Sequence, residues 1–323
     1  MTRNQSMTEV EWRQFKLWRD AGKLSSGRIK SLETQLLKDP TNMDLRIQLL
    51  GYYGRYKGNN LKHTNAHQKL FELVLWLIQN EPSVGGLFGH RISTLGHSFR
   101  PRIFAALREA WLEQVAATPL DGRILGNAAS FIAWNDIETA SDLFDRAYIL
   151  QPEQGWYGTF VIHLHSQLWD CPEIYKRKIR ERIIDVGVRS LETELGGAPF
   201  LTCEYVSDAA LSLGQYELVL WCADILAEWN SPTCSQKANA YRGLVALREN
   251  DRQLASQLML KMEFGFHPQA VVFRLARELF DVGERDSIVQ LVESFKRSIK
   301  TAARKRWLEQ IANNQPPDFE DYC

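Results

Sequence analysis

Small and aromatic residues recur at helical spacing within residues 121–152. Ala128 and Phe131 are three residues apart, so a helix would place both on one face. A polar turn follows at Asn135–Asp136. A second apolar face then extends to Pro152, which lacks the amide donor that a helix needs; its positions are Ala140, Phe144 and Ala147. The pattern predicts two antiparallel helices that approach each other closely at the small residues.

The same arrangement recurs three times later in the chain. Small residues stand at Ser207, Gly243 and Ala276, which are 36 and 33 residues apart. A turn begins seven residues after each, at Gly214–Gln215, Asn250–Asp251 and Gly283–Glu284. The apolar positions that follow are Val219, Ala223 and Leu226; Ala255, Met259 and Met262; and Ile288, Val292 and Phe295. Intervals of roughly 34 residues are typical of repeated helix pairs.

This pattern resembles the tetratricopeptide repeat, most clearly in residues 121–152 and more weakly to about residue 300. The order small, aromatic, small, aromatic, small, proline matches that family. The sequence departs from it at Ile124, where a Trp is usual, and at Asn127, where an apolar residue is usual. The resemblance implies an all-α fold, a right-handed superhelical array of antiparallel helix pairs forming a TPR-like α-solenoid with an extended concave face. Because that family is a general interaction scaffold, the fold alone does not specify a function.

We expect three regions along the chain. They are residues 1–115, an irregular N-terminal helical region with loop excursions at 54–65 and 84–101; residues 116–314, the helical repeats with a C-terminal capping helix; and residues 315–323, a tail. No apolar run reaches the roughly 18 residues that span a bilayer. Residues 1–20 are polar and charged, unlike a secretory signal. We therefore expect a cytoplasmic protein without membrane association.

Charge is distributed unevenly, although 39 basic residues balance 39 acidic ones. Residues 1–115 carry a net +7 and residues 116–323 a net −7. Neutral net charge argues against a strongly basic nucleic-acid-binding protein. A nucleic-acid-associated factor that uses the basic N-terminal third is the alternative, because aromatic and basic residues alternate at Tyr52, Tyr53, Arg55, Tyr56 and Lys57. We interpret the basic runs at 176–182 and 300–306 as solvated helix faces, with contact to a phosphate or an acidic partner as the other interpretation.

The histidines do not form a convincing metal site. His163 and His165 are two residues apart on a predicted helix, so they point about 200° apart at roughly 100° per residue. His63 and His67 have the spacing of ligands on one helix face, but no Cys or Glu completes the set of four ligands that a metal ion needs. We therefore expect no metal.

The sequence also lacks a recognisable catalytic motif. Cys203 and Cys222 lie in apolar helices and are interpreted as core residues, whereas Cys171 precedes Pro172 at a helix start, where a thiolate would be favoured. The chain has no nucleophile elbow, phosphate-binding loop or dinucleotide fingerprint. We expect no catalytic residue and no cofactor, with an all-α enzyme of unrecognised type as an alternative.

The predicted concave face is the candidate site for a partner. In the family that the chain resembles, the first helix of each pair lines the groove. The exposed positions near the small residues of the last three pairs are Glu204, Tyr205, Asp208, Lys237, Tyr241, Arg274 and Arg277. Tyr and Arg combine a large contact area with a polar tip and are favoured in interfaces. We predict a non-enzymatic helical-repeat scaffold that binds a protein or peptide there; ordinary solvated helix surface is the other interpretation.

Two further features have alternative interpretations. Asn127 either satisfies a backbone group between repeats or reaches the groove. Most of the ten tryptophans lie on apolar helix faces and are expected in the core. Trp12, Trp18 and the Trp156–Tyr157 pair are less clearly buried and are candidates for partner contacts.

Overall fold

The structure, a computed structural model, describes residues 8–54, 64–84, 101–169, 171–193, 199–229, 231–262, 270–295 and 299–319. Within these ranges the chain forms sixteen α-helices and one short 3-10 helix, and no β-strand occurs there. The all-α class that the sequence predicts is therefore confirmed.

The chain divides into two compact units. The first comprises Met1–Gln167 with Thr193–Gly197, and the second comprises Leu168–Glu192 with Ala198–Cys323. The first unit contains α1 (Glu9–Ala21), α2 (Ser26–Lys38), α3 (Met43–Tyr53), α4 (Thr64–Asn80), α5 (Pro101–Ala117), α6 (Gly122–Ile132), α7 (Ile137–Leu150), the 3-10 helix Pro152–Gln154 and α8 (Trp156–Gln167). The boundary predicted after residue 115 falls inside α5, where Val115 is buried.

The remaining helices belong to the second unit. They are α9 (Glu173–Thr193, except for its last residue), α10 (Pro199–Leu213), α11 (Tyr216–Glu228), α12 (Pro232–Arg248), α13 (Arg252–Leu260), α14 (Ala270–Asp281), α15 (Arg285–Ser294) and α16 (Thr301–Ala312). Helices α10 and α11, α12 and α13, and α14 and α15 form consecutive pairs, each joined by a short turn and packed together. A short turn between two packed helices is the antiparallel α-hairpin.

The three predicted turns share one backbone motif. Gly214, Asn250 and Gly283 adopt left-handed φ angles of 74°, 64° and 93°. In each turn, the amide of the next residue donates to a carbonyl five residues earlier, at distances of 2.9, 2.8 and 3.0 Å. This is the Schellman ending of a helix, which favours Gly or Asn because other side chains clash there. The repeated turn spacing of the sequence therefore corresponds to a repeated local structure.

The small residues of the repeat pattern are buried as predicted. Ala128, Ser207 and Ala276 have no exposed surface, and Gly243 is also buried. A Cβ atom added to Gly243 would lie 2.7 Å from Leu275 Cδ2 on α14. Small side chains at these positions thus let neighbouring helices approach closely.

The C-terminal tail contacts the last helices. Phe319 stacks on Phe273 with ring centroids 4.7 Å apart and meets Trp307 edge-on at 4.9 Å. The indole Nε1 of Trp307 donates a hydrogen bond of 2.5 Å to the Asp318 carbonyl. Residues 315–319 of the predicted tail therefore cover the apolar end of the second unit, after the expected capping helix α16.

Several sequence predictions concern residues that the structure does not describe. Most of the excursions at 54–65 and 84–101 lies outside the described residues, as do His63, Cys323 and the Arg55–Lys57 part of the aromatic and basic cluster. In the part of the chain that is described, no helix has both the length and the apolar character needed to cross a membrane.

Two glycines provide a test of close helix packing. A Cβ atom at Gly51 on α3 would collide with the Trp18 carbonyl oxygen on α1, whereas one at Gly27 on α2 would have no atom within 4 Å. Gly51→Ala forces two backbones apart and should lower the free energy of unfolding by about 1–3 kcal/mol. Gly27→Ala should raise it by about 0.5–1 kcal/mol, because Ala favours a helix over Gly. Urea denaturation followed by circular dichroism measures both, and equal effects of the two substitutions would contradict the packing.

Candidate functional site

The predicted partner-binding residues lie on three helices of the second unit. Glu204, Tyr205 and Asp208 belong to α10, Lys237 and Tyr241 to α12, and Arg274 and Arg277 to α14. Helix α12 packs against both α10 and α14. The fold therefore gathers these residues on the successive first helices of three pairs, as the repeat pattern predicts.

Lys237 is buried rather than exposed, which corrects the sequence prediction for this residue. Only 6% of its surface is accessible, and its ammonium group forms an ion pair with the Glu204 carboxylate of α10. The ammonium also lies 5.9 Å from the centroid of the Phe200 ring. A lysine can be buried only when its charge is paired, so this contact fixes α12 against α10.

Tyr241 is also buried, and its predicted role as an exposed anchor for a partner is wrong. Its exposed fraction is 0%, and its hydroxyl donates a 3.1 Å hydrogen bond to the backbone carbonyl of Glu204. Burial, followed by the negative charges of Asp208 and Glu204, raises the pKa of the phenol well above its ordinary value. Tyr241 therefore remains a neutral donor and serves as a second connection between α12 and α10.

Asp208 and Arg274 extend the polar cluster to α14. The guanidinium of Arg274 lies 3.4 Å from an Asp208 carboxylate oxygen and 3.2 Å from Glu278 on its own helix. Loss of hydration among the surrounding groups raises the pKa of Asp208 to about 6, and the nearby Glu204 charge acts in the same direction. Arg274 and Lys237 oppose this shift. Asp208 thus titrates closer to neutrality than an ordinary aspartate.

Four of the seven predicted residues remain accessible enough to contact a partner. Arg277 is 50% exposed at its side chain and pairs with Asp281 at 3.6 Å on the same helix. The side chains of Arg274 and Asp208 are 38% and 37% exposed, and Tyr205 is half-buried. We refer to Tyr205, Asp208, Arg274 and Arg277 as the repeat face. Buried Lys237 and Tyr241 hold the helices beneath it.

Asn127 and the Trp156–Tyr157 pair have structural contacts. Asn127 is buried, and its side-chain amide donates a 2.9 Å hydrogen bond to the Pro82 carbonyl, so the first of its two interpretations is correct. Trp156 packs so closely on Gly126 that an added Cβ would lie 2.5 Å from its ring. Tyr157 donates to Asp145 at 3.1 Å. Burial of Trp156 and Tyr157 contradicts their suggested role as partner contacts.

The side chains of His163, Cys203 and Cys222 are buried. His163 is buried beside Trp134, with ring centroids 5.0 Å apart. Cys203 and Cys222 are buried as predicted, and their hydrogen bond together with burial raises the pKa of the Cys203 thiol. Among the described residues, no group of three or more His, Cys, Asp or Glu side chains is arranged to hold a metal ion.

Part of the basic N-terminal third is engaged in internal contacts. Arg46 is buried, donates a 3.0 Å hydrogen bond from Nε to the Pro40 carbonyl and lies 3.7 Å from the centroid of the Trp76 ring. Tyr53 donates to Glu33 at 2.5 Å, and Lys69 forms an ion pair with the same carboxylate. These side chains line part of a cavity of about 320 Å³ between α2, α3 and α4.

The sequence pattern does not predict the exposed apolar side chains at the start of α9, although no residue of the basic run at 176–182, interpreted as a solvated helix face, is buried. Trp169 belongs to the tryptophans expected in the core, yet it is 80% exposed. Ile174 and Tyr175 on α9 are 79% and 57% exposed. The signal in the sequence is the charge of residues 173–182, because seven of these ten residues are charged and such residues are mostly exposed.

Comparison of the chain with protein-family models, with curated proteins and with solved structures finds no match in any of the three. Function is therefore inferred from the side chains and their geometry.

Removal of one member of the Lys237–Glu204 pair should destabilise the fold strongly. Lys237→Ala leaves Glu204 without its partner in a largely buried position, and removal of one member of such a pair costs about 3–5 kcal/mol. Partial exposure of Glu204, 19% at its side chain, favours the lower end of that range. The exposed Lys305–Glu309 pair is the control, and Lys305→Ala should cost less than about 1 kcal/mol.

The same interaction can be isolated with a double-mutant cycle. Adding Glu204→Ala to Lys237→Ala should cost much less than Glu204→Ala alone, because contacting residues are not additive. Urea denaturation provides the four free energies of unfolding. Additive effects would show that the two charges do not interact.

The raised pKa of Asp208 predicts in which direction the stability of the protein changes with pH. Its pKa is raised from an ordinary value of 3.8 to about 6 in the folded protein, so the folded state holds the proton more tightly than the unfolded state. This group therefore stabilises the protein less as pH rises from about 4 to about 6. Partial exposure lets water screen part of the effect. Urea denaturation across this range should show wild type losing stability relative to Asp208→Asn; parallel pH profiles would contradict the assignment.

Proposed function

We propose that this protein is a non-enzymatic, TPR-like helical-repeat scaffold that binds a protein or peptide at the repeat face. The strongest support for the proposal is the position of that face on α10 and α14, which both pack against α12. Three successive first helices, each ending in the same Schellman turn, pack side by side. We also propose that the pairs continue as a right-handed superhelix and that the protein acts in the cytoplasm.

The buried contacts beneath the repeat face favour binding over simple solvent exposure. Glu204 is held by both Lys237 and Tyr241 of α12, and it is adjacent to Tyr205 on α10. Arg274 is held between Asp208 and Glu278. Side chains already held in one geometry lose less conformational entropy on binding. Rigid support of this kind is therefore suited to recognition of an extended ligand.

The charges of the repeat face define the chemistry of the ligand. Asp208 on α10 offers a carboxylate to a basic group, whereas Arg277 on α14 offers a guanidinium to an acidic group. Opposite charges at separate positions fix the direction of a bound chain. Tyr205 supplies apolar area with a polar tip, which is typical of interface anchors. We expect a peptide that carries a basic, an acidic and an apolar residue.

A displayed random peptide library tests the proposal even though the natural partner is not identified. Peptides selected on the wild-type protein are measured by fluorescence polarisation on wild type and on a Tyr205→Ala/Arg277→Glu double variant. Loss of central anchors costs roughly 2–4 kcal/mol, so affinity should fall by at least about tenfold. Circular dichroism verifies that the double variant is folded.

Lys305→Glu is the matched control for the charge reversal. Its side chain is 79% exposed on α16, away from α10 and α14 in sequence, and pairs only weakly with Glu309 at 3.8 Å. The selected peptides should bind this variant as they bind wild type. If the selected peptides bind the folded double variant as tightly as wild type, they bind at another site. This result would overturn the proposed site.

A further inference from the structure

The first half of α9 differs from the other long helices in its exposure. None of residues 173–182 is buried, whereas Ile183, Val186, Gly187 and Ser190 in the second half are. At 1.5 Å per residue, the exposed half is roughly 15 Å long. A helix that packs along its length has an apolar stripe facing its neighbours. Here only the second half is packed in that way.

Large apolar side chains are exposed at the beginning of this half. Trp169, Ile174 and Tyr175 lie within seven residues of one another, and each exposes more than half of its surface. Single exposed apolar residues are ordinary, but a group of three, two of them aromatic, indicates a contact surface. Trp and Tyr are also the residue types that contribute most to protein interfaces.

The same half of α9 is strongly basic within the acidic part of the chain. Residues 173–182 contain five basic and two acidic residues, whereas residues 116–323 as a whole have a net charge of −7. Lys176, Arg177 and Arg182 form ion pairs along the helix, with Glu173, Glu181 and Asp185. Lys178 makes no salt bridge with any residue that the structure describes. Its charge is therefore available to a partner.

Helical spacing places this charge beside the apolar side chains. Lys178 is four residues after Ile174 and three after Tyr175, and such residues are neighbours on a helix surface. Ile174, Tyr175 and Lys178, together with Trp169 shortly before the helix in sequence, are called the α9 surface below. This surface combines two aromatic rings, an aliphatic side chain and an available cation.

We propose that the α9 surface binds an acidic protein segment that carries an apolar or aromatic side chain. The cation of Lys178 attracts a carboxylate, while the exposed side chains of Ile174 and Tyr175 leave water on contact with an apolar group. A single-stranded nucleic acid fits less well, because Ile174 offers no ring for the base stacking on which such binding depends. This site is separate from the repeat face in its residues, so it adds a second partner-binding surface to the proposed function.

An array of synthetic peptides tests the chemistry directly. One set contains Asp and Glu with Leu or Phe, a second contains only Asp, Glu and Gly, and a third contains Lys and Arg with Leu or Phe. Fluorescently labelled full-length protein should bind the first set and should bind the other two sets at least about tenfold more weakly, since both charge and apolar contact are required.

Three variants locate the binding. Lys178→Glu should weaken binding of the acidic apolar peptides by about tenfold, as reversal of an interfacial charge does. The Ile174→Ser/Tyr175→Ser variant should bind the acidic apolar peptides no more tightly than the peptides that contain only Asp, Glu and Gly. Lys305→Glu should leave binding unchanged, as should the Tyr205→Ala/Arg277→Glu variant of the repeat face. Because the two surfaces have separate variants, failure of one proposal can be distinguished from failure of the other.

Competing ligands decide the class of partner. Single-stranded oligo-dT and oligo-U, and vesicles containing phosphatidylserine, are titrated against wild type and Lys178→Glu. If either competitor binds more tightly than the peptides, and Lys178→Glu abolishes that binding, the partner is that ligand and not an acidic protein segment. This result would overturn the proposal. Three further results would overturn the proposal. The protein binds all three peptide sets equally, it binds none of them, or the folded α9 variants bind the acidic apolar peptides as tightly as wild type.

Discussion

The packing of this protein is limited above all by the close approach of helices at small residues. A Cβ atom at Gly51 or at Gly126 would overlap Trp18 or Trp156, respectively, so neither position can hold a larger residue without movement of its neighbours. The same is true of Gly243, against Leu275. Protein interiors are packed as densely as organic crystals, so one added methyl group is felt. The spacing of small residues therefore determines which helices can pair.

Once the helices are close, the polar groups between them must be satisfied. Lys237 and Tyr241 lie in the interior and find their partners in the carboxylate and the backbone carbonyl of Glu204. An unpaired charge in that position would be costly, and the pairing therefore fixes how α12 sits on α10. The side chains that remain accessible, Tyr205 and Arg274 among them, are held by this arrangement. A recognition surface combines buried contacts that hold its side chains in place with access of those side chains to a partner.

The α9 surface has a different physical character. Its aromatic and aliphatic side chains are exposed beside a cation, in a helix half that contains no buried residue. The repeat face, in contrast, has charges of both signs and little exposed apolar area. Two surfaces with such different chemistry would bind different segments. A scaffold that brings two partners together needs surfaces of this kind.

The amino-acid sequence alone sets the helical class, the helix pairs and their turns, because these depend on local preferences. Only Gly or Asn readily takes the left-handed angle at Gly214, Asn250 and Gly283, and only small residues fit a close crossing. The exposure of individual side chains depends instead on tertiary packing. The repeat pattern predicts Tyr241 at the surface from its place beside Gly243, yet α12 packs against α10, α11, α13 and α14, and Tyr241 lies on a covered side of the helix. Trp169 differs from expectation in the opposite direction, because it is expected in the core but is 80% exposed. An apolar residue is buried only where a neighbouring element covers it, and the periodicity of one helix carries no information about that neighbour.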